Sequence, residues 1–533
     1  MFDLIIKNGM ITDGTRRKPY AGFLCIKDGK LAKVGEGEAP ADGEAKTVID
    51  AGGHIVAPGF IDVHTHSDKS YLVCPTHESK LRAGVTFELC GQCGLSCIPV
   101  SEKNIDSQAS LGGLLPGKSD RYTYKPRNME TYAADYNSRP QTINVGMSIG
   151  HGALRSTIVG WDQRPLTPAE MDEMCELLDR ELKAGAMGVS FGLIYPPGSF
   201  CDTEEIKALA RVCAANDRFL SVHMRNENRR IFEALDEMIE VARETGVRLE
   251  ISHLKLMGKT MWGRSGELLA KIDQARAKGI SIHADQYPYA ASHSKLTSSF
   301  PREAMDGGYG ALAEHLKDDE WWDRISDHGT LPEMEFRGGA ANIAVADLAN
   351  GIEWPEVMGK TLTELAEMWA CDVPAAIRKL LLGCRGVVDC IYHNMSEEDV
   401  LNIMSQRDIS VVSDGTAYDL HNYNGRPHPR NAGHSTRFLR LVREHDLMPI
   451  EDAVYKLTGL PAAVMGMEER FGFLKEGLDA NVTIFDKDTV TDHATYEEPA
   501  QASEGIDYVI VNGEVVLDHD VITDARPGKC ILG

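Results

Sequence analysis

The segment Gly59-Phe60-Ile61-Asp62-Val63-His64-Thr65-His66 ends an apolar run in two histidines one residue apart. Side chains two apart on a strand point to the same side, so His64 and His66 can grip one metal ion. His223 closes the run 219–222, and His253 closes the run 249–252 in the same manner. They stand 30 residues apart, the length of one strand–helix unit. Asp414 follows the apolar stretch 409–413. Imidazoles and a carboxylate, each at the end of an apolar run, are residue types that ligate metal ions. Where such run ends meet, binding a metal ion is the chemistry these residues can do.

The cysteines of Cys90-Gly91-Gln92-Cys93-Gly94-Leu95-Ser96-Cys97 have no second pair at the spacing of a structural zinc knot. Gly91 and Gly94 instead permit a tight turn that aims the Cys93 thiolate at the metal. Cys90 and Cys97 read as packing residues. Two other motifs are decoys. Gly112-Gly113-Leu114-Leu115-Pro116-Gly117-Lys118-Ser119 matches the phosphate-loop pattern, but polar residues precede it and no helix pattern follows, so no phosphate cradle forms. Gly188-Val189-Ser190-Phe191-Gly192 matches a nucleophile elbow, yet it runs into Pro196-Pro197-Gly198, which cannot start the required helix.

For these residues to meet, several strand ends must converge. Apolar runs at 55–63, 86–89, 142–149, 188–191, 219–223, 248–253, 280–285 and 409–413 alternate with amphipathic helical stretches. That alternation predicts an α/β fold, and the number of runs is what a (β/α)8 TIM-type barrel requires, with its active site at the C-terminal ends of the strands. One helix is expected to start with Thr167 as its cap and Pro168 in its first turn. Short strands and hairpin signals at both ends, Asn512-Gly513 the strongest, predict a small β-sandwich domain from residues 1–57 and 478–533. The barrel then occupies 58–477. A stretch rich in Trp, Gly and acidic residues, about 292–356, reads as an inserted lid segment.

The 533 residues carry 80 acidic and 56 basic side chains, a net charge of −24. That sign excludes a polyanion partner, and no basic patch offsets it. No apolar run approaches the roughly 18 residues a membrane span needs, and the N-terminus lacks a signal-peptide plan. A cytoplasmic protein with a small-molecule substrate is expected. Its twelve cysteines form no regular framework and should be reduced. No oligomeric state follows.

Taken together, Pro58 to His66, Cys93 in Gly91-Gln92-Cys93-Gly94, His223-Met224-Arg225-Asn226-Glu227, Ser252-His253-Leu254-Lys255, Ala284-Asp285-Gln286-Tyr287-Pro288-Tyr289, Ser413-Asp414-Gly415 and Gly425-Arg426-Pro427-His428-Pro429-Arg430 resemble the amidohydrolase superfamily. Within it they resemble the D-aminoacylase, or N-acyl-D-amino-acid deacylase, branch over nearly the whole chain. The resemblance implies zinc-dependent hydrolysis of N-acyl-D-amino acids. It also implies one tight zinc site from Cys93, His223 and His253, and a weaker or partly occupied second site from His64, His66 and Asp414. Asp414 would take the water proton and return it to the amine. Lys255, Tyr289 and Arg426 would bind the substrate carboxylate, and Tyr195 would donate to the oxyanion. Lys295 stands where relatives acting on acyl-D-glutamate carry an arginine, which implies an acidic or polar substrate side chain. The alternatives are a cyclic-amide hydrolase and a non-catalytic barrel. In related hydantoinases a carboxylated lysine bridges the metals, and the similar segment 184–190 has none. A lost metal ligand would mark a non-catalytic barrel, and none is missing.

Overall fold

Parallel strands close into a ring in this computed structural model, which describes residues 1–102, 125–348 and 352–533. The decoy 112–119 lies outside the described residues. Phe60–Asp62 pairs with Val85–Cys90, and that strand with Asn144–Met147. Past Ser148 the third strand resumes as Ile149–Gly150, which pairs with Gly188–Gly192. Phe219–His223, Arg248–Ile251, Ile282–Gln286 and Ser410–Val411 follow in order, all parallel. A bridge between Thr65 and Gly415 joins the last strand to the first, with Asp414 N donating to His64 O and His66 N to Gly415 O. These eight strands form the (β/α)8 barrel. They are buried on both faces, as Val85–Cys90 is at every residue, which is why the sequence shows continuous apolar runs rather than alternation.

Helices cover the ring. Pro168–Lys183 starts as expected, the Thr167 side chain accepting from Glu170 N, and it buries Met174, Leu177, Leu178 and Leu182 against the strands.

The run 55–63 is not one barrel strand. Ile55–Pro58 pairs antiparallel with Val482–Phe485, while Phe60–Asp62 enters the barrel. The chain changes sheets at Gly59, and an unbroken apolar run hides the change. Strands from both ends form one nine-stranded sheet, in which Phe2–Ile11 pairs with Tyr20–Lys27, Ala45–Asp50 and Ile55–Pro58. Ile506–Val511 and Glu514–Asp518 meet across Asn512-Gly513, both with positive φ, as a type I′ turn requires. Leu4, Ile6, Leu24, Val482, Ile484 and Ile510 fill a shared core.

The inserted unit runs further than residue 356. Ser292–Lys295, Val388–Tyr392 and Ile343–Leu348 make a three-stranded antiparallel sheet, with helices packed on a core of its own that includes Leu312, Trp322 and Leu380. Its central strand, 388–392, reads as one more buried apolar run, so composition alone ends the insertion too early. Among the described residues no helix is long and apolar enough to cross a membrane.

Candidate active site

Each strand that carries a metal-type donor delivers it at its C-terminal end. His64 follows Phe60–Asp62, Cys93 follows Val85–Cys90, His223 ends its strand, His253 follows Arg248–Ile251 and Asp414 follows Ser410–Val411. Their side chains converge. His64 Nε2 lies 3.3 Å from Cys93 Sγ and 3.3 Å from Asp414 Oδ1, and Cys93 Sγ lies 3.3 Å from His253 Nε2. His66 Nε2 is 3.0 Å from Asp414 Oδ1. The donor atoms of His64, Cys93, His253 and Asp414 all fall within 4.8 Å of one another, and those of His223, Glu227 and His253 form a second such group. The groups share His253, and His66 joins them through Asp414, so the side chains of all six expected ligands are contiguous.

The backbone is bent to reach this geometry. Cys93, His253 and Asp414 have φ of 54°, 39° and 49°, left-handed conformations that cost L-residues energy and concentrate at functional sites. The Cys93 turn depends on its glycines. A Cβ at Gly91 would stand 2.0 Å from Ser148 O, and one at Gly94 2.5 Å from Gly192 N. Ser190 Oγ donates to Gly91 O at 2.6 Å and accepts from Gly94 N at 3.0 Å. That hydroxyl is spent holding the turn, which disposes of the serine-nucleophile pattern.

Two carboxylates that sequence reasoning missed stand behind the histidines. Asp285 Oδ2 is 3.1 Å from His64 Nδ1, and its Oδ1 accepts from His253 N at 2.6 Å. Glu227 Oε1 is 3.0 Å from His253 Nδ1 and accepts from Lys255 Nζ at 2.6 Å. Such carboxylates fix the ring orientation and raise the basicity of a metal-binding imidazole. Asp285 was findable, since it ends the run 280–285 as Asp414 ends its own. Glu227 sits in the loop four residues past His223, where spacing gives no signal.

The electrostatics call for a cation. Burial disfavours charge on every group, yet Asp285, Cys93 and Asp414 hold His64 well above its ordinary value. Asp414 and Cys93 raise His66 to about 9, and Glu227 and Cys93 raise His253 to about 9, despite burial and, for His253, the Lys255 ammonium. Burial opposes the Cys93 thiolate as well, but His64 and His253 hold the thiol well below its usual range. Anions that draw protons onto three imidazoles would be balanced as well by a divalent ion. His223 lies 3.2 Å from Glu227 Oε2, yet neither of its buried ring nitrogens makes a hydrogen bond. A thiolate, imidazoles and a carboxylate with an unsatisfied histidine among them fit zinc.

A cavity of about 160 Å3 opens beside this cluster. Lys255, Tyr195 and Lys295 line it; Tyr289 and Arg426 do not. Tyr289 is buried behind the wall, packed on the His428 ring at 5.3 Å, its hydroxyl donating to Pro429 O. Tyr287 lines the cavity in its place. Arg426 is exposed. Arg430 lines the cavity, its Nη1 2.8 Å from Asp414 Oδ2 and its guanidinium 4.5 Å from the centre of the Tyr287 ring. Arg430 begins the helix Arg430–His445, which fixes its direction, whereas Arg426 lies on the loop before it. Arg426→Ala is therefore expected to leave kcat/KM within about twofold, as an exposed substitution does. A tenfold loss in steady-state kinetics would return Arg426 to the site.

Comparison with known proteins agrees with this geometry. The amidohydrolase family model matches residues 47–316 and 419–517. N-acyl-D-glutamate deacylase of Alcaligenes xylosoxydans xylosoxydans is 35% identical over 99% of this chain and 96% of its own. D-aminoacylase of the same organism is 31% identical over 99% and 97%. The crystal structure of N-acyl-D-glutamate deacylase from Bordetella bronchiseptica, complexed with zinc and a phosphonate mimic of the tetrahedral intermediate, superposes with a TM-score of 0.82 at 34% identity over all of both chains. By fold, by strand-end chemistry and by sequence along its whole length, the chain belongs to the amidohydrolase family.

Proposed function

We propose that this protein hydrolyses the amide bond of N-acyl-D-amino acids, giving a carboxylate and a free D-amino acid, with zinc held by His64, His66, Cys93, His223, His253 and Asp414. The observation that carries the reading is the Cys93 thiolate set among strand-end histidines, in a chain similar from end to end to deacylases of D-amino acids. The chemistry a bound zinc supplies is Lewis acidity toward the amide carbonyl and a lowered water pKa. Asp414 does the proton work. Burial opposes its charge, but Arg430, His253 and His64 hold its carboxyl well below the usual range, so it is ionised and ready to accept a proton, then to return it to the departing amine. Tyr195 faces the cluster, its ring 5.1 Å from that of His223. Burial and the Cys93 charge keep its hydroxyl protonated, which suits a donor to the developing oxyanion. Lys255 and Arg430, both lining the cavity, provide the cationic charge for the substrate's α-carboxylate. All twelve cysteines are unpaired, which suits the reducing cytoplasm.

The test is release of primary amine by zinc-loaded protein from matched N-acetyl-D- and N-acetyl-L-amino acids. Turnover of D substrates alone is expected, abolished by chelation and restored by zinc. Equal turnover of L substrates, or none of any acyl amino acid, would sink the reading.

A further inference from the structure

The inserted sheet contributes one lateral row of side chains to the cavity. Lys295 is the register partner of Asp389, and Asp389 is the register partner of Asp347. All three line the cavity. Resting on the deacylase reading above, we propose that this row is the side-chain subsite and selects a neutral side chain that both donates and accepts hydrogen bonds, a terminal carboxamide such as that of D-glutamine or D-asparagine, with Asp389 as the residue that sets the choice.

The argument starts from charge. Lys295 alone would favour an acidic side chain, but its Nζ lies 3.3 Å from Asp389 Oδ1, both side chains largely buried. The ammonium is already neutralised. Among the described residues, the other Lys and Arg lining the cavity are engaged elsewhere: Arg430 and Lys255, beside Asp414 at 2.8 Å and Glu227 at 2.6 Å, are the cations assigned to the α-carboxylate, and Arg337 pairs with Glu333 at 2.9 Å. Asp347 has no ion-pair partner among the described residues, and Leu348 N donates to its Oδ1 at 2.8 Å. Burial and the neighbouring Asp389 push its carboxyl up to about 7, so near neutral pH it is present in both forms. A substrate carboxylate placed here meets two acidic side chains and one occupied cation, and like charges in contact are strongly disfavoured.

An apolar side chain does no better, because it strips water from Lys295 and Asp347 and offers nothing in return. A carboxamide matches both. Its oxygen accepts from the remaining Lys295 N–H groups, and its NH2 donates to Asp347 or Asp389. A cationic side chain would satisfy Asp347 but face the Lys295 ammonium.

The experiment compares kcat/KM of the zinc-loaded wild type for N-acetyl derivatives of D-glutamine, D-asparagine, D-glutamate, D-aspartate, D-leucine and D-lysine. The best carboxamide is expected to exceed its own acid, and leucine, by at least about tenfold. Preference for an acid, for leucine or for lysine overturns the inference while leaving the deacylase reading intact. Silence on all six substrates fells the deacylase reading and this inference with it. Asp389→Asn frees Lys295 and is expected to reverse the glutamine-to-glutamate ratio; an unchanged ratio in a folded variant overturns the role of Asp389. Should that variant fail to fold, Lys295→Met reads the same row, since it removes the donor to the amide oxygen and must erase the margin over leucine. A margin that survives overturns the subsite.

Discussion

Asp414→Asn is expected to lower kcat by about 100- to 10,000-fold, the range a positioned general acid and base contributes, with zinc still bound. The carboxamide keeps the shape of the side chain and its contact distances to His64, His66 and Arg430, but it cannot accept a proton. Zinc retention is expected because Cys93, His223, His253, His64 and His66 remain. A group that acts only as the reaction proceeds should depress kcat and kcat/KM together, whereas loss of substrate affinity would raise KM alone. Metal content measured beside steady-state kinetics separates the outcomes. A zinc-loaded variant that keeps most of its kcat removes Asp414 from the proton path, and one that loses its zinc shows that the carboxylate serves chiefly as a ligand.

Asp414 was legible in the sequence for the reason that the barrel was. Parallel strands covered on both faces must be apolar throughout, so the first polar residue past the run marks the rim, and His64, His223 and His253 stand out in the same way. Cys93 needed only the two glycines beside it, because a turn this close to Ser148 and Gly192 tolerates no side chain at either position. The sequence was silent where neighbouring residues of one type differ only in direction. Tyr287 and Tyr289 share a motif, yet one faces the cavity and the other the wall. Arg426 and Arg430 are four residues apart in a proline-rich stretch, and only the start of a helix separates their roles. Glu227 and the pairing of Lys295 with Asp389 are tertiary contacts, with no local pattern to give them away. The switch of sheets at Gly59 was invisible because both sheets ask for the same apolar residues.

Beneath the cluster a second buried network holds the metal strands in place, and Lys80→Met is expected to destabilise the protein by about 3–5 kcal/mol, the cost of breaking a buried ion pair from one side. The Lys80 ammonium is fully buried, 2.9 Å from Asp62 Oδ2 and 3.9 Å from Glu88 Oε1, and it donates to Ser413 Oγ. Asp62 also accepts from Ser413 N, and Ser413 Oγ from Gly415 N, each at 3.0 Å. Glu88 accepts from Ser67 Oγ at 2.6 Å and pairs with His77 Nδ1 at 2.7 Å. These residues bracket the donors: Asp62 precedes His64 by two, Ser67 follows His66, and Ser413 and Gly415 flank Asp414. Methionine fills the space of the lysine stem but leaves two carboxylates without that cation. Burial opposes the Asp62 charge, and Lys80 and His434 hold its carboxyl below the ordinary value, so the wild type gains this stability above the unfolded carboxylate pKa and loses it as pH falls. In Lys80→Met the carboxyl is pushed upward instead. The gap between the two proteins in chemical denaturation is thus expected to be widest at neutral pH and to narrow in acid. Adding Asp62→Asn should recover part of the loss, because the two changes share one contact and do not add. A gap that is the same at every pH would mean that packing, not charge, is what Lys80 supplies.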